Sequence, residues 1–169
     1  MGNATGLTAA IVHLFNHGIT KGAIFMLLGG VVVSMGGATL AQVQGMGRRM
    51  PLTSLALVLC GLSLIGIPGT AGFISKWYLM LAALEKGQWW LVALILLSSL
   101  LAIAYVWRFV EAAYFREPSE HLPARGEAPW PMLVPSLLLV AAVLYFGLDT
   151  SFTLGSASQA AVQLMGGLR

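Results

Sequence analysis

His13, Asn16, His17, Thr20 and Lys21 interrupt a stretch, HLFNHGITKGAIF, that is otherwise apolar enough to cross a membrane. At about 100° per residue a helix gathers all five on one face, in an arc about 140° wide. A lysine turned toward lipid costs about 2.5–3.5 kcal/mol even on the lenient insertion scale, so the stripe is expected to face other helices or internal water. Imidazole and ammonium groups carry exchangeable protons, and a column of them on one helix face is a chain of sites between which protons hop. The i, i+4 spacing of His13 and His17 also fits a zinc pair. A zinc site needs a further ligand, however, and the metalloprotease pattern sets a glutamate beside the first histidine, where this chain has Leu14. Cys60, Glu85 and Glu111 belong to other helices, His121 to a charged linker, and cationic Lys21 repels a metal ion. Proton path, hydrogen bonding between helices and metal binding all stay open. The residue types favour the proton path, and no metal or cofactor is expected.

A second costly residue is Lys76, in GIPGTAGFISKWYLM. Pro68 removes a backbone donor and Gly66, Gly69 and Gly72 permit sharp turns, so the helix is expected to break at membrane depth just before the lysine. Broken helices at that depth line cavities, and in transporters their free ends face the ion. The alternative is a tight turn between two spans, with Lys76 snorkelling to the surface. Arg108 and Glu111, at i, i+3, form a possible ion pair near a helix end, although a simple anchor at the interface is the favoured reading.

These residues must be positioned by membrane helices. Of the 169 residues 58% are hydrophobic and 9% charged, against roughly 25% charged in a soluble domain, and the mean hydropathy is +0.85. The net charge of +3 is scattered, with no basic run to hold nucleic acid. A lone cysteine, Cys60, excludes an internal disulfide and reads as a small core residue. With about 20 residues per span, five membrane helices are predicted, near 8–34, 52–66, 70–84, 89–114 and 130–148. A polar linker covers about 115–129 and a tail about 149–169 is too polar and short to span again. Trp89, Trp90, Trp107, Tyr114 and Trp130 mark interfaces. Gly30 and Ser34 let a neighbouring helix approach closely. With five spans, Arg108, Arg116 and Arg125 fall on one side and Arg48, Arg49, Lys86 and Arg169 on the other, which sets no orientation.

HLFNHGITKGAIFMLLGG followed by MGRRMPLTSLALVLCGLSLIGIPGTAGFISKWYLM resembles the antiporter-like family of membrane proteins: the D-type component of Mrp-type multisubunit sodium/proton antiporters and the proton-pumping membrane subunits of respiratory complex I. The resemblance implies a larger protein of two inverted repeats, of which this chain matches the last five helices. It also implies that His17, Lys21 and Lys76 fall on the proton-relay positions of the second half-channel and its exit, with His13 one turn before His17. The family's acidic and basic relay residues on earlier helices have no counterpart here.

The expectation is therefore an all-α integral membrane chain acting as the C-terminal part of a proton-translocating, Mrp-type antiporter subunit. Its relay is Lys21, Lys76, His17 and His13. Its partners are other membrane subunits, including the missing N-terminal helices, with protons and sodium as the transported ions and a bacterial inner membrane as the location. A membrane component of a complex I-like oxidoreductase or membrane-bound hydrogenase is the alternative. An intramembrane metalloenzyme and a non-conducting structural subunit are the rival classes.

Overall fold

In hydrocarbon each unpaired backbone group costs several kcal/mol, so a chain this apolar must close its hydrogen bonds within the segment. A computed structural model describes residues 4–118 and 126–166, and among them the secondary structure is entirely helical. His121 and Arg125 of the linker, and Arg169, lie outside the described residues. The helices are α1 (Ala4–Met35), α2 (Met46–Arg49), α3 (Pro51–Ile65), α4 (Ala71–Glu85), α5 (Trp89–Val110, continued by a π-helical turn Glu111–Phe115), α6 (Trp130–Leu148) and α7 (Ser151–Gly166). The tail thus folds into a helix, α7, whose Phe152 and Ala157 pack beside Val12 and Phe15 of α1.

α1, α5 with its π turn, and α6 are long and apolar enough to cross a membrane. α3 and α4 have 15 residues each and rise only about 22 Å apiece, short of the roughly 30 Å hydrocarbon core. Their partners show how they share the distance. Thr20 meets Ser63, Asn16 meets Ala71 and His13 meets Ser75, so the chain descends α1 while passing from the end of α3 into α4. α5 returns antiparallel: Ser99 bonds Lys76, Val106 lies against Gly61, and the Ala112 carbonyl reaches Gly45 in the loop after α1. The five apolar helices therefore make four crossings, α3 and α4 being two halves of the interrupted one. The packed half, between α1, α3 and α6, buries Leu27, Val31, Met50, Cys60 and Leu133.

The interruption has local causes. Gly66 ends α3 with φ 91°, and the amides of Gly66 and Ile67 both bond the Leu62 carbonyl, a turn that only glycine makes without strain. Pro68 and Gly69, φ 88°, carry the chain to α4. Gly147 of α6 sits against Gly69 and Thr70 so closely that a Cβ would collide with their backbone. α6 thus covers the Gly69–Thr70 side of the break, while Ile67 and Pro68 are exposed. On the far face Glu127 accepts from the amides of Leu52 and Thr53 and from the Thr53 hydroxyl, capping α3 and tying the entry of α6 to it. Gly30 makes a close approach to Ala128 of that entry segment, not to a helix as the small-residue spacing suggested.

Four crossings change the charge count. Arg48 and Arg49 now share a face with Arg108 and Arg116, and Lys86 stands at the opposite face between α4 and α5. By the lysine and arginine bias among the described residues, the α2 face is expected to be cytoplasmic. In a Cys60→Ala background, a single cysteine at Arg48 should react with membrane-impermeant maleimide only after inside access is opened, and one at Gly87 from outside. The reverse labelling pattern would contradict this topology.

Candidate functional site

α3 stops in the membrane with its last carbonyls pointing onward, and Lys76 is the group that meets them. Its ammonium donates to Leu64 O at 2.8 Å, Ile65 O at 3.0 Å and the Ser99 hydroxyl at 2.7 Å. Three donors are thereby matched by three acceptors, two of them at the negative end of a helix dipole. Ser99 lies near the midpoint of α5, which puts Lys76 at the centre of the crossing. It is half-buried, and its ammonium is directed at these three oxygens.

The polar stripe of α1 lies across the same break. Asn16 and Thr20 are buried, His13 and Lys21 half-buried, and His17 exposed at the edge. Asn16 Nδ2 donates to Ala71 O at 2.8 Å, holding the first turn of α4, while its Oδ1 is buried with no protein donor. Thr20 gives its proton to Asn16 O, so Ser63 supplies the proton between the two hydroxyls, 3.3 Å apart, while its oxygen accepts the Gly72 amide. Ser75 gives its proton to Gly72 O. The 3.0 Å contact between His13 Nδ1 and Ser75 Oγ is then donated by the imidazole, leaving Nε2 as the free acceptor. His13 and His17 stack with centroids 5.3 Å apart, and Lys21 lies 5.9 Å from the Phe25 ring centroid.

A cavity of about 220 Å³ joins these groups and is lined by all four predicted site residues together with Ser98 and Tyr105 of α5. It has room for several waters. No direct hydrogen bond connects Lys21, Lys76 and the histidines to one another; they meet across the cavity. Ser63, Ser75 and Ser99 complete the site, though sequence reasoning passed over them. Their only signal is a hydroxyl in an apolar helix, where Thr, Ser and Asn side chains regularly bridge helices. Arg108 does not pair with Glu111. The π turn carries the chain round so that Arg116 does, at 2.9 Å. Among the described residues no group of three or more His, Cys, Asp or Glu gathers as a metal site would require.

Gly72 is where α3 and α4 pass closest, since a Cβ there would collide with the Ser63 carbonyl. Gly72→Ala should lower stability by about 1–3 kcal/mol, read from thermal unfolding in detergent. Gly155→Ala, with open space around it, should be neutral or stabilising. Equal melting of the two variants would refute the tight junction.

Comparison with known proteins is consistent with this geometry. The family described as NADH:quinone oxidoreductase/Mrp antiporter, TM, matches residues 1–102. The N-type subunit of the NADH-quinone oxidoreductase of Desulforudis audaxviator is 39% identical over 164 residues, covering 88% of this chain and 32% of the relative. The D-type subunit of the Na(+)/H(+) antiporter of Bacillus subtilis is 32% identical, covering 94% and 32%. In solved structures, a chain of the Mrp complex from a Dietzia species superposes with a TM-score of 0.88 at 24% identity, over 96% of this chain and 38% of that one. A chain of an archaeal membrane-bound sulfane sulfur reductase gives 0.83 at 30% identity, over 94% and 32%. The chain spans about a third of the length of the curated relatives it matches.

Proposed function

This chain belongs to the NADH:quinone oxidoreductase/Mrp antiporter membrane family, and from that premise we propose that it is the C-terminal part of a proton-translocating subunit of an Mrp-type cation/proton antiporter. Lys21, His17, His13 and Lys76 act as its relay. The observation that carries this reading is the single cavity, beside the helix break, that all four residues line.

A proton arriving at Lys21 passes through cavity water to the histidine pair, and the free Nε2 of His13 accepts it in turn. Asn16 forms part of the cavity wall, held in place by its bond to Ala71 O. Lys76 completes the path, because the carbonyl end of α3 stabilises its protonated form and the neighbouring cavity supplies the route by which the proton leaves. The exposed edge of His17 and the half-exposed Lys21 support a role within a larger assembly, since further protein must cover them at bilayer depth. The missing N-terminal helices and other membrane subunits are that cover, sodium is the exchanged cation and a bacterial inner membrane the location. A complex I-like role is the second reading. It is favoured by the 39% identity to the oxidoreductase relative against 32% to the antiporter relative.

Proton flux in vesicles carrying the whole complex tests the relay. Lys21→Ala and Lys76→Ala should fall to background while the complex still assembles. Arginine at either site should not restore flux, because a guanidinium does not release its proton. His13→Gln and His17→Gln should slow flux and shift its pH profile without abolishing it. Sodium-coupled flux supports the antiporter reading, and flux driven only by quinone reduction the second. Wild-type flux from Lys76→Ala would show the lysine to be structural.

A further inference from the structure

Charge is left over at the cytoplasmic end of α5. A cavity of about 250 Å³ opens there between Gln44, in the loop after α1, and the turn that carries Arg108, Glu111 and Arg116. The bond from the Gly45 amide to Ala112 O, 2.9 Å, pins the loop to the helix, so backbone fixes the walls. Arg116 and Glu111 neutralise each other across 2.9 Å, whereas Arg108 has no carboxylate partner among the described residues. Glu127, on this face, is occupied by the α3 amides, and Glu117, next to Arg116, does not line the cavity. One unmatched guanidinium and the Gln44 amide therefore face the cavity. Outside it, Trp107 and Phe115 are 58% and 73% exposed with ring centroids 6.2 Å apart, beside the arginines on the same helix end.

An anion is wanted by the cavity and an apolar chain by its flank. We propose that the cavity binds the phosphate of an anionic phospholipid, with Arg108 as its charge partner, Gln44 as a second donor, and the acyl chains lying along Trp107 and Phe115. Arginine suits this role because its planar fork meets two phosphate oxygens at once, and basic pockets between helices on the cytoplasmic side are where anionic headgroups dock. Glu111 serves by holding Arg116 against the turn, which keeps the pocket at a single net positive charge matched to a phosphodiester. Free phosphate shares the headgroup chemistry but has no use for the aromatic flank. The site uses none of the residues assigned to the proton path and stands or falls apart from it.

The test is retention of lipid by the full chain in detergent, measured by native mass spectrometry with phosphatidylglycerol, phosphatidylcholine and inorganic phosphate as separate probes. Phosphatidylglycerol should be retained over phosphatidylcholine. Arg108→Ala should weaken that retention roughly fivefold, the share of one basic residue at an anionic surface. Arg108→Gln should match it if the alanine variant unfolds, Arg108→Lys should keep most of the binding, and Arg48→Ala, on the same face outside the cavity, should keep all of it. Equal retention of the two lipids, or unchanged retention in both uncharged variants, would overturn the proposal. Inorganic phosphate displacing phosphatidylglycerol at comparable concentration would assign the pocket to a free anion and overturn the lipid.

Discussion

The ammonium of Lys76 stands where the backbone of a membrane helix stops, and the rest of the structure is arranged around that meeting. A helix cut at bilayer depth leaves its last carbonyls without water, a cost of several kcal/mol per group. A lysine at the same depth brings three donors that are equally costly alone. Set against Leu64 and Ile65, each removes the other's deficit. The arrangement is stable only while the cut is shielded, so Gly147 must let α6 close over Gly69 and Thr70. Asn16 must in turn hold the start of α4.

The same constraint produces the cavity. Two half-helices displaced at a break cannot fill the space that one straight helix would, and the gap falls beside the one stripe of α1 that carries polar groups. Hydroxyls from the surrounding helices then complete the walls: Thr20 from α1, Ser63 and Ser75 from the two halves, Ser98 and Ser99 from α5. Each is committed to a partner in a way that fixes neighbouring protons, so the His13 tautomer follows from the direction of the Ser75 bond. The other half of the bundle is mainly apolar. There Leu27, Val31 and Cys60 pack as an ordinary core, giving the polar half a rigid support.

Much of the site was legible in the sequence because expensive residues advertise themselves. Lys21 and Lys76 in apolar helices, and Pro68 among glycines, identify the stripe and the break by cost alone. The partners were not legible: a serine in a membrane helix costs little, so Ser63, Ser75 and Ser99 carried no signal. Crossing number was also hidden. The residues on each side of GIPGTAG are long enough to suggest two spans, and only the pairing of Ser63, Ala71 and Ser75 with successive turns of α1 shows one shared crossing. That in turn moved Arg48 and Arg49 to the face of Arg108. The Arg116 partner of Glu111 was not visible in helical spacing, because the π turn after Val110 departs from the period on which an i, i+3 reading rests.

The central claim is that Lys21 and Lys76 are joined by water held beside the helix break. The most direct measurement is a cryo-electron microscopy map of the assembled complex at a resolution that shows ordered water. The account predicts a continuous file of density from Lys21 to Lys76, with one water within reach of His13 Nε2. A cavity filled by side chains or acyl chains, with no water between the two lysines, would contradict it.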